Sequence, residues 1–273
     1  MTVSVETLFQ DLMAVRERAP LIHNVTNLVV MQQTANALLA LGASPVMAHA
    51  EEEIKDMARL AGAMVVNMGT LDAQWVMRMQ LALSAAQACQ LPCVFDPVGV
   101  GATPYRTQVA QQLIAMGVPL VIRGNASEIM ALANAGQGTK GVDSLFGSDS
   151  ALVAARKLAS KGHTVVVSGA VDYVVNTHQQ AAIHNGVPLM TKVVGLGCTA
   201  TALIGAFCAV NANAWMASVH AMVMWGVVGE IAAAQAQGPG TFQIALLDVL
   251  YHLTFEQLAE RAKVTTTVCA NST

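Results

Sequence analysis

Five short apolar runs, each followed by a longer stretch of helical periodicity, occupy the first 160 or so residues, a sixth run comes just after them, and together they dominate what this chain can become. The runs fall at residues 21–25, 45–48, 63–68, 93–95, 120–123 and 164–168. Helical patterns lie at 29–41, 51–60, 72–89, 105–116, 127–133 and 149–160. Such alternation predicts an α/β fold of three layers, a mostly parallel central sheet with helices on both faces. Two more strands at 173–176 and 181–184, with His178-Gln-Gln between them, predict an antiparallel hairpin at a sheet edge. From Gly197 to about Ala262 the pattern is almost wholly helical. Before the first strand, Val5, Leu8, Phe9 and Leu12 recur at helical spacing among charges, so an amphipathic helix is expected there and not a signal peptide. No linker-like composition and no repeat interrupts residues 1–273, so one domain is expected.

Charged residues make up only 11% of the chain, against roughly 25% in an average soluble domain. Mean hydropathy is +0.50. The long uncharged stretch after Val193 is broken by Gly195, Gly197, Asn211 and Asn213. The segment 198–210 has the length of a core helix and is too short to cross a bilayer. The segment 214–229 carries His220 and ends at Glu230. The expectation is no membrane span, and a homo-oligomer that covers much of the apolar surface. A net charge of −3 without a basic cluster argues against a nucleic-acid partner. The five cysteines form no C-x-x-C pair and sit at no zinc spacing, which points to reduced thiols in the cytoplasm. The triplets beginning at Asn24 and Asn271 are then chance matches to a glycosylation signal, and the seven histidines show no helical i, i+4 pairing.

In sheets of this kind ligands bind beyond the carboxyl ends of the strands. Polar residues accumulate there: His23, Asn24 and Asn27 after the first strand, Met47-Ala-His49 after the second, and Asn67-Met-Gly-Thr70 after the third. Asp96-Pro-Val-Gly-Val-Gly101, Arg123-Gly-Asn125 with Glu128, and Ser168-Gly169 follow. Asp96 reads either as a turn aspartate satisfying local N–H groups or as a magnesium ligand beside phosphates. Glu128 either caps a helix, since Asn125-x-x-Glu128 resembles a capping box, or joins Asp96. Arg123 next to a glycine on this rim suits an anion.

The turn Val194-Gly-Leu-Gly-Cys198 opens a long apolar helix. Its N–H groups and the positive end of the helix dipole favour phosphate. It is no dinucleotide fingerprint, because it does not follow the first strand and lacks the third glycine. No G-x-x-x-x-G-K-[ST] occurs; Gly136-Gln-Gly-Thr-Lys-Gly141 has the composition without the order. Cys198 is either a small buried packing residue or a thiol whose pKa the helix N-terminus lowers toward use as a base or nucleophile.

Taken in this order, these residues resemble the ribokinase-like kinases, and within them the hydroxyethylthiazole kinase family. The resemblance covers nearly the whole chain: Pro20-Leu-Ile-His-Asn-Val-Thr-Asn27, Gly42-Ala-Ser-Pro-Val-Met47, Asn67-Met-Gly-Thr70, Asp96–Gly101, Arg123-Gly-Asn-Ala-Ser-Glu128, Lys140-Gly-Val-Asp-Ser144 and Val194–Cys198. It implies ATP- and Mg2+-dependent phosphorylation of the primary alcohol of 4-methyl-5-(2-hydroxyethyl)thiazole, in thiamin biosynthesis or salvage. It further implies that Asn27 and Met47 line the thiazole pocket with Gly195 close to the hydroxyl. Arg123 and Ser168 would contact ATP, the 195–198 turn with Gly197 would hold the transferring phosphoryl, and Asp96 with Glu128 would hold the metal. Where the wider superfamily carries an aspartate as catalytic base, this branch carries cysteine, here Cys198. A homotrimer with sites between subunits is implied as well. Two other readings compete: a ribokinase-like kinase for another small alcohol of the hydroxymethylpyrimidine type, and a non-catalytic module that binds nucleotide or thiamin precursor.

Overall fold

The computed structural model describes residues 3–118, 120–134 and 148–269. The motifs at 136–141 and 140–144 and the triplet at 271–273 lie outside the described residues. In chain order the elements are α1 (Val5–Arg18), β1 (Leu21–Val25), α2 (Met31–Leu41), β2 (Ser44–Val46), α3 (Ile54–Leu60), β3 (Ala63–Asn67), α4 (Ala73–Ala88) and β4 (Cys93–Asp96). Next come α5 (Pro104–Ala115), β5 (Val121–Asn125), α6 (Ala126–Asn134), α7 (Ser148–Ala159), β6 (Thr164–Ser168), β7 (Asp172–Val175) and β8 (Gln179–Ile183). After a 3-10 turn at Pro188–Lys192 follow α8 (Leu196–Cys208), α9 (Ala214–Gln235), α10 (Pro239–His252), α11 (Phe255–Arg261) and β9 (Val264–Val268). Local chemistry sets several boundaries. Ser4, Asp72 and Thr103 each accept a backbone N–H at the start of a helix, and Pro104 occupies the first turn of α5.

The strands form one sheet in the order β2-β1-β3-β4-β5-β6-β7-β8-β9. Pairing is parallel from β2 through β6 and antiparallel from β6 through β9. The hairpin β7–β8 is therefore not the sheet edge: β9 pairs with β8 from Gln179↔Val268 to Ile183↔Val264. The run Val264-Thr-Thr-Thr-Val268 is rich in β-branched residues, which suit a strand, but it is largely exposed and shows no apolar alternation.

Each face of the sheet carries its own core. On one side Leu12, Leu38, Phe207, Trp215 and Leu246 pack together; on the other, Met64, Trp75, Phe95, Leu113 and Leu158 do. Helices α8 and α9 are almost entirely buried, which is where the high hydropathy goes. Helix α9 is long and apolar enough to cross a membrane by length and composition, yet 89% of its apolar window is buried inside the fold. The buried histidine of that helix is tied down: Asp11 Oδ2 on α1 lies 2.7 Å from His220 Nδ1 and accepts from Asn211 Nδ2 at 2.7 Å.

Candidate active site

The parallel strands end on one rim, and the polar residues on that rim interlock. Asp96 closes β4 beside Asn67, which closes β3 in register. Fully buried, Asp96 accepts at Oδ2 from Asn67 Nδ2 (3.0 Å) and Thr201 Oγ1 (2.7 Å). Its other oxygen, Oδ1, has no partner among the described residues. Burial pushes the Asp96 carboxyl up to about 6; the Arg123 guanidinium, 3.8 Å away, pulls against that, and the Glu128 carboxylate adds to it. Asn27 Nδ2 donates to Asn67 Oδ1 at 2.8 Å and to Cys198 Sγ at 3.6 Å. A chain of polar contacts thus runs from Cys198 through Asn27 and Asn67 to Asp96.

Cys198 does not have the lowered pKa that its place in the first turn of α8 suggests. Burial, and then the Asp96 carboxylate, push the thiol up to about 11, outweighing the amides and Arg123, which act the other way. At neutral pH it is a thiol.

Arg123 on β5 donates from Nη2 to Ser168 Oγ (2.5 Å) at the end of β6, and Ser168 in turn donates to the Gly124 carbonyl (3.3 Å). The guanidinium also presses against the first turn of α8: a Cβ on Gly197 would lie 2.6 Å from Arg123 Nη1. Gly195, at φ +82°, is the residue before the helix, and a Cβ there would meet Val30 at 2.6 Å. Gly195 is required by its backbone conformation and by the approach of Val30, while at Gly197 a side chain would displace the Arg123 guanidinium from its place.

Glu128 does cap α6. Its Oε2 accepts from Asn125 N–H (2.9 Å), while Asn125 Oδ1 accepts from Glu128 N–H (2.9 Å). Its Oε1 reaches across to Gly99 N–H (2.8 Å) and so fastens the Asp96–Gly101 loop. The same loop is held by Arg106 of α5, which donates to the carbonyls of Val98 (2.8 Å), Met68 (2.8 Å) and Gly69 (2.7 Å). Met47 stands just past β2, and its carbonyl accepts from His49 Nδ1 (2.8 Å). No hydrogen bond ties Met47 to the Asp96–Cys198 cluster among the described residues.

A cavity of about 610 Å3 opens beside α8. Arg123, Ser168, Gly195 and Gly197 line one end; Met190, Met222 and Trp225 line the other. Asp172 also borders it and accepts from Gly169 N–H (2.9 Å). Burial raises Asp172 to about 6, with that N–H and Arg123 opposing. Among the expected site residues, Asp96, Glu128, Arg123, Ser168, Gly197, Cys198, Gly195 and Asn27 are brought together. Thr201, Arg106 and Asp172 were not anticipated. Thr201 follows Gly197 by one helical turn, a spacing that places both on one face of α8.

Among the described residues no group of three or more His, Cys, Asp or Glu could alone hold a metal ion. What the rim does offer is a guanidinium and a helix N-terminus on the cavity wall, with a buried carboxylate oxygen left without a partner behind them. That is a receptor for a ligand with an anionic head and an apolar body.

The chain matches the model of the hydroxyethylthiazole kinase family over residues 12–256. It is 50% identical to a hydroxyethylthiazole kinase of Syntrophus aciditrophicus, covering 97% of this chain and 98% of that one. A hydroxyethylthiazole kinase of Vibrio atlanticus is 49% identical, with 95% and 98% covered. The solved structure of a hydroxyethylthiazole kinase protein from Pyrococcus horikoshii superposes with a TM-score of 0.90 at 43% identity, covering 96% of this chain and 99% of that one. A ribokinase-like superfamily protein from Enterococcus faecalis (TM-score 0.61, 16% identical, 92% and 95% covered) shares the fold.

Proposed function

The chain belongs to the hydroxyethylthiazole kinase family, and from that membership we propose how its cleft moves the γ-phosphoryl of ATP onto the primary hydroxyl of 4-methyl-5-(2-hydroxyethyl)thiazole. The observation that carries the reading is the junction of Arg123, Ser168 and the first turn of α8, where Gly197 leaves room for the Arg123 guanidinium beside the start of the helix. Phosphates suit this place because the helix dipole, the free N–H groups and the fork of Arg123 all favour negative charge. The thiazole alcohol sits on the side of Asn27 and Met47, its hydroxyl near Gly195. Neither a hydroxymethylpyrimidine kinase nor a non-catalytic module is favoured by this arrangement.

Mg2+ fits the residues present. Asp96 Oδ1 is buried without a partner, and each Glu128 oxygen accepts only one N–H, so acceptor capacity remains for a hard cation and its waters. Bound by Asp96 and Glu128, the ion would neutralise charge on the phosphoryl oxygens. The chain's own residues do the rest: Arg123 and the α8 turn hold the phosphoryl group in line, and Asn27 places the acceptor. Cys198 lies next to Asn27 as a neutral thiol. In a loose transition state the alcohol keeps most of its proton until late, so position and charge outweigh deprotonation. Cys198 assists by contact and is dispensable as a base.

Cys198→Ser is therefore expected to keep kcat within about tenfold, less than the roughly 10²–10⁴-fold that a general base is worth. Cys198→Asp should retain or gain activity. Rates followed from pH 6 to 9 should show no limb from a thiol. A fully inactive Cys198→Ser that still folds and binds ATP would contradict this role.

Leu28, Val29 and Val194, exposed at 64%, 64% and 68%, flank Asn27 and Gly195. An apolar rim beside a site suits coverage by another copy of the chain, which supports sites at subunit boundaries; the homotrimer and the cytoplasmic location follow only from the family resemblance. Residues 1–273 then act as one kinase domain. ATP consumption measured with the thiazole alcohol, with a hydroxymethylpyrimidine and with no acceptor, each with and without Mg2+, tests the function. Magnesium-dependent consumption with the thiazole alcohol alone is expected; equal consumption without any acceptor would defeat the proposal.

A further inference from the structure

The end of the cavity away from Arg123 is short of groups that could tell one purine from another. Three polar side chains border it, and two are engaged. Asn185, buried, donates from Nδ2 to Glu230 Oε1 (3.0 Å) and the Arg261 carbonyl (2.7 Å), while its Oδ1 accepts from Lys263 N–H (2.7 Å). Thr191, exposed at the mouth, gives its hydroxyl hydrogen to the Pro188 carbonyl (2.9 Å). Backbone donors are scarce too: Gly186 N–H goes to Glu230 (3.2 Å), Pro188 has no N–H, and Met190 N–H goes to the Val187 carbonyl (3.0 Å). The third polar group is the indole N–H of Trp225. This residue is 4% exposed and lines the cavity, and its Nε1 has no acceptor among the described residues. Trp215, by contrast, gives its N–H to the Val174 carbonyl (3.0 Å). The remaining wall is Met190, Leu196 and Met222.

We infer that this end of the cavity recognises a purine by its flat shape and one hydrogen bond donated by Trp225, so that GTP and ITP serve as phosphoryl donors alongside ATP. The inference rests on reading the cavity as the nucleotide site. N7 is an acceptor in both adenine and guanine, so a lone donor does not separate them. At this end no side-chain amide is free to accept from the exocyclic amine of adenine: Asn185 Oδ1 already takes the Lys263 N–H, and the lining carboxylate, Asp172, stands with Gly169 and Arg123. A site that hydrogen-bonds such a group rejects its absence by roughly 10⁴–10⁵, whereas an apolar slot discriminates by only about 10–200-fold. The chemistry is unchanged: the bond from the β-phosphate oxygen to the γ-phosphorus breaks, the alcohol oxygen bonds to that phosphorus, and the alcohol proton passes to solvent.

Initial rates with ATP, GTP and ITP, at saturating thiazole alcohol and Mg2+, test this on the wild-type enzyme. A kcat/KM for GTP and ITP within about 100-fold of that for ATP is the expected result. A preference for ATP beyond 100-fold overturns the inference and leaves the kinase reading intact; no turnover with any nucleotide overturns both. Trp225→Phe keeps the ring and removes the donor. It should raise KM for ATP and GTP alike by about 3–10-fold, the worth of one hydrogen bond, with kcat and the KM for the alcohol unchanged. A loss confined to ATP would show that Trp225 reads adenine and would contradict the proposal.

Discussion

Asp96→Asn is expected to lower kcat by at least about 10²–10³-fold, the largest effect of any conservative change in this protein. The carboxylate is the buried acid of the cluster, and its Oδ1 is the oxygen left for the cation. Charge stabilisation by a held metal ion is worth several kcal/mol, and each 1.36 kcal/mol is a factor of ten in rate. Loss of fold does not explain the result away, because stability should move in the opposite direction. Burial holds the Asp96 carboxyl at about 6, above its unfolded value. The folded chain therefore binds the extra proton between about pH 4 and pH 6, and the cost of ionising Asp96 is absent below that window and full above it. Removing the charge should raise the melting temperature of the metal-free protein at pH 7 relative to wild type, with little difference at pH 4. Melting curves at both pH values and steady-state rates at saturating Mg2+ check the two halves. A variant with wild-type turnover would remove Asp96 from the metal assignment.

The second large effect is expected from Arg123→Lys, a change that keeps the charge. The guanidinium does three things at once: it donates to Ser168, lies 3.8 Å from Asp96 and packs flat against Gly197. A lysine ammonium is a point charge without the planar fork, and it cannot span those contacts. A fall in kcat/KM for ATP of about 30–10³-fold is expected, on the basis that a charge-assisted hydrogen bond is worth about 1.5–3 kcal/mol and that positioning is lost with it. The KM for the thiazole alcohol should change much less. Equal losses on both substrates would place Arg123 between the two ligands instead of on the nucleotide.

How much of this was legible in the chain depends on the range of the signal. The strand–helix alternation survives to within a few residues, since each element is set by local periodicity and caps such as Asp72 and Thr103. Strand β9 escaped because its exposed threonines carry no apolar alternation and its partner β8 lies far back in the chain, Ile183 pairing with Val264. At the site, the glycine turn before α8 and the Asn125–Glu128 cap could be read directly. The cross-strand pair Asn67–Asp96 could not, because it depends on β3 and β4 lying in register. Arg106 offered no signal either: its three acceptors are backbone carbonyls of two loops. Cys198 shows the limit most clearly. Its helix position argues for a lowered pKa, and only the packed neighbourhood, with its burial and the Asp96 charge, reverses the direction.

The central claim is that this rim transfers a phosphoryl group to one particular alcohol, and phosphorus NMR of the reaction mixture tests it most directly. With the thiazole alcohol, ATP and Mg2+, a phosphate monoester should appear one-for-one with ADP, and the Asp96→Asn protein should produce almost none in the same time. ADP accompanied by free phosphate and no ester, or an ester formed as fast on a hydroxymethylpyrimidine, would contradict it.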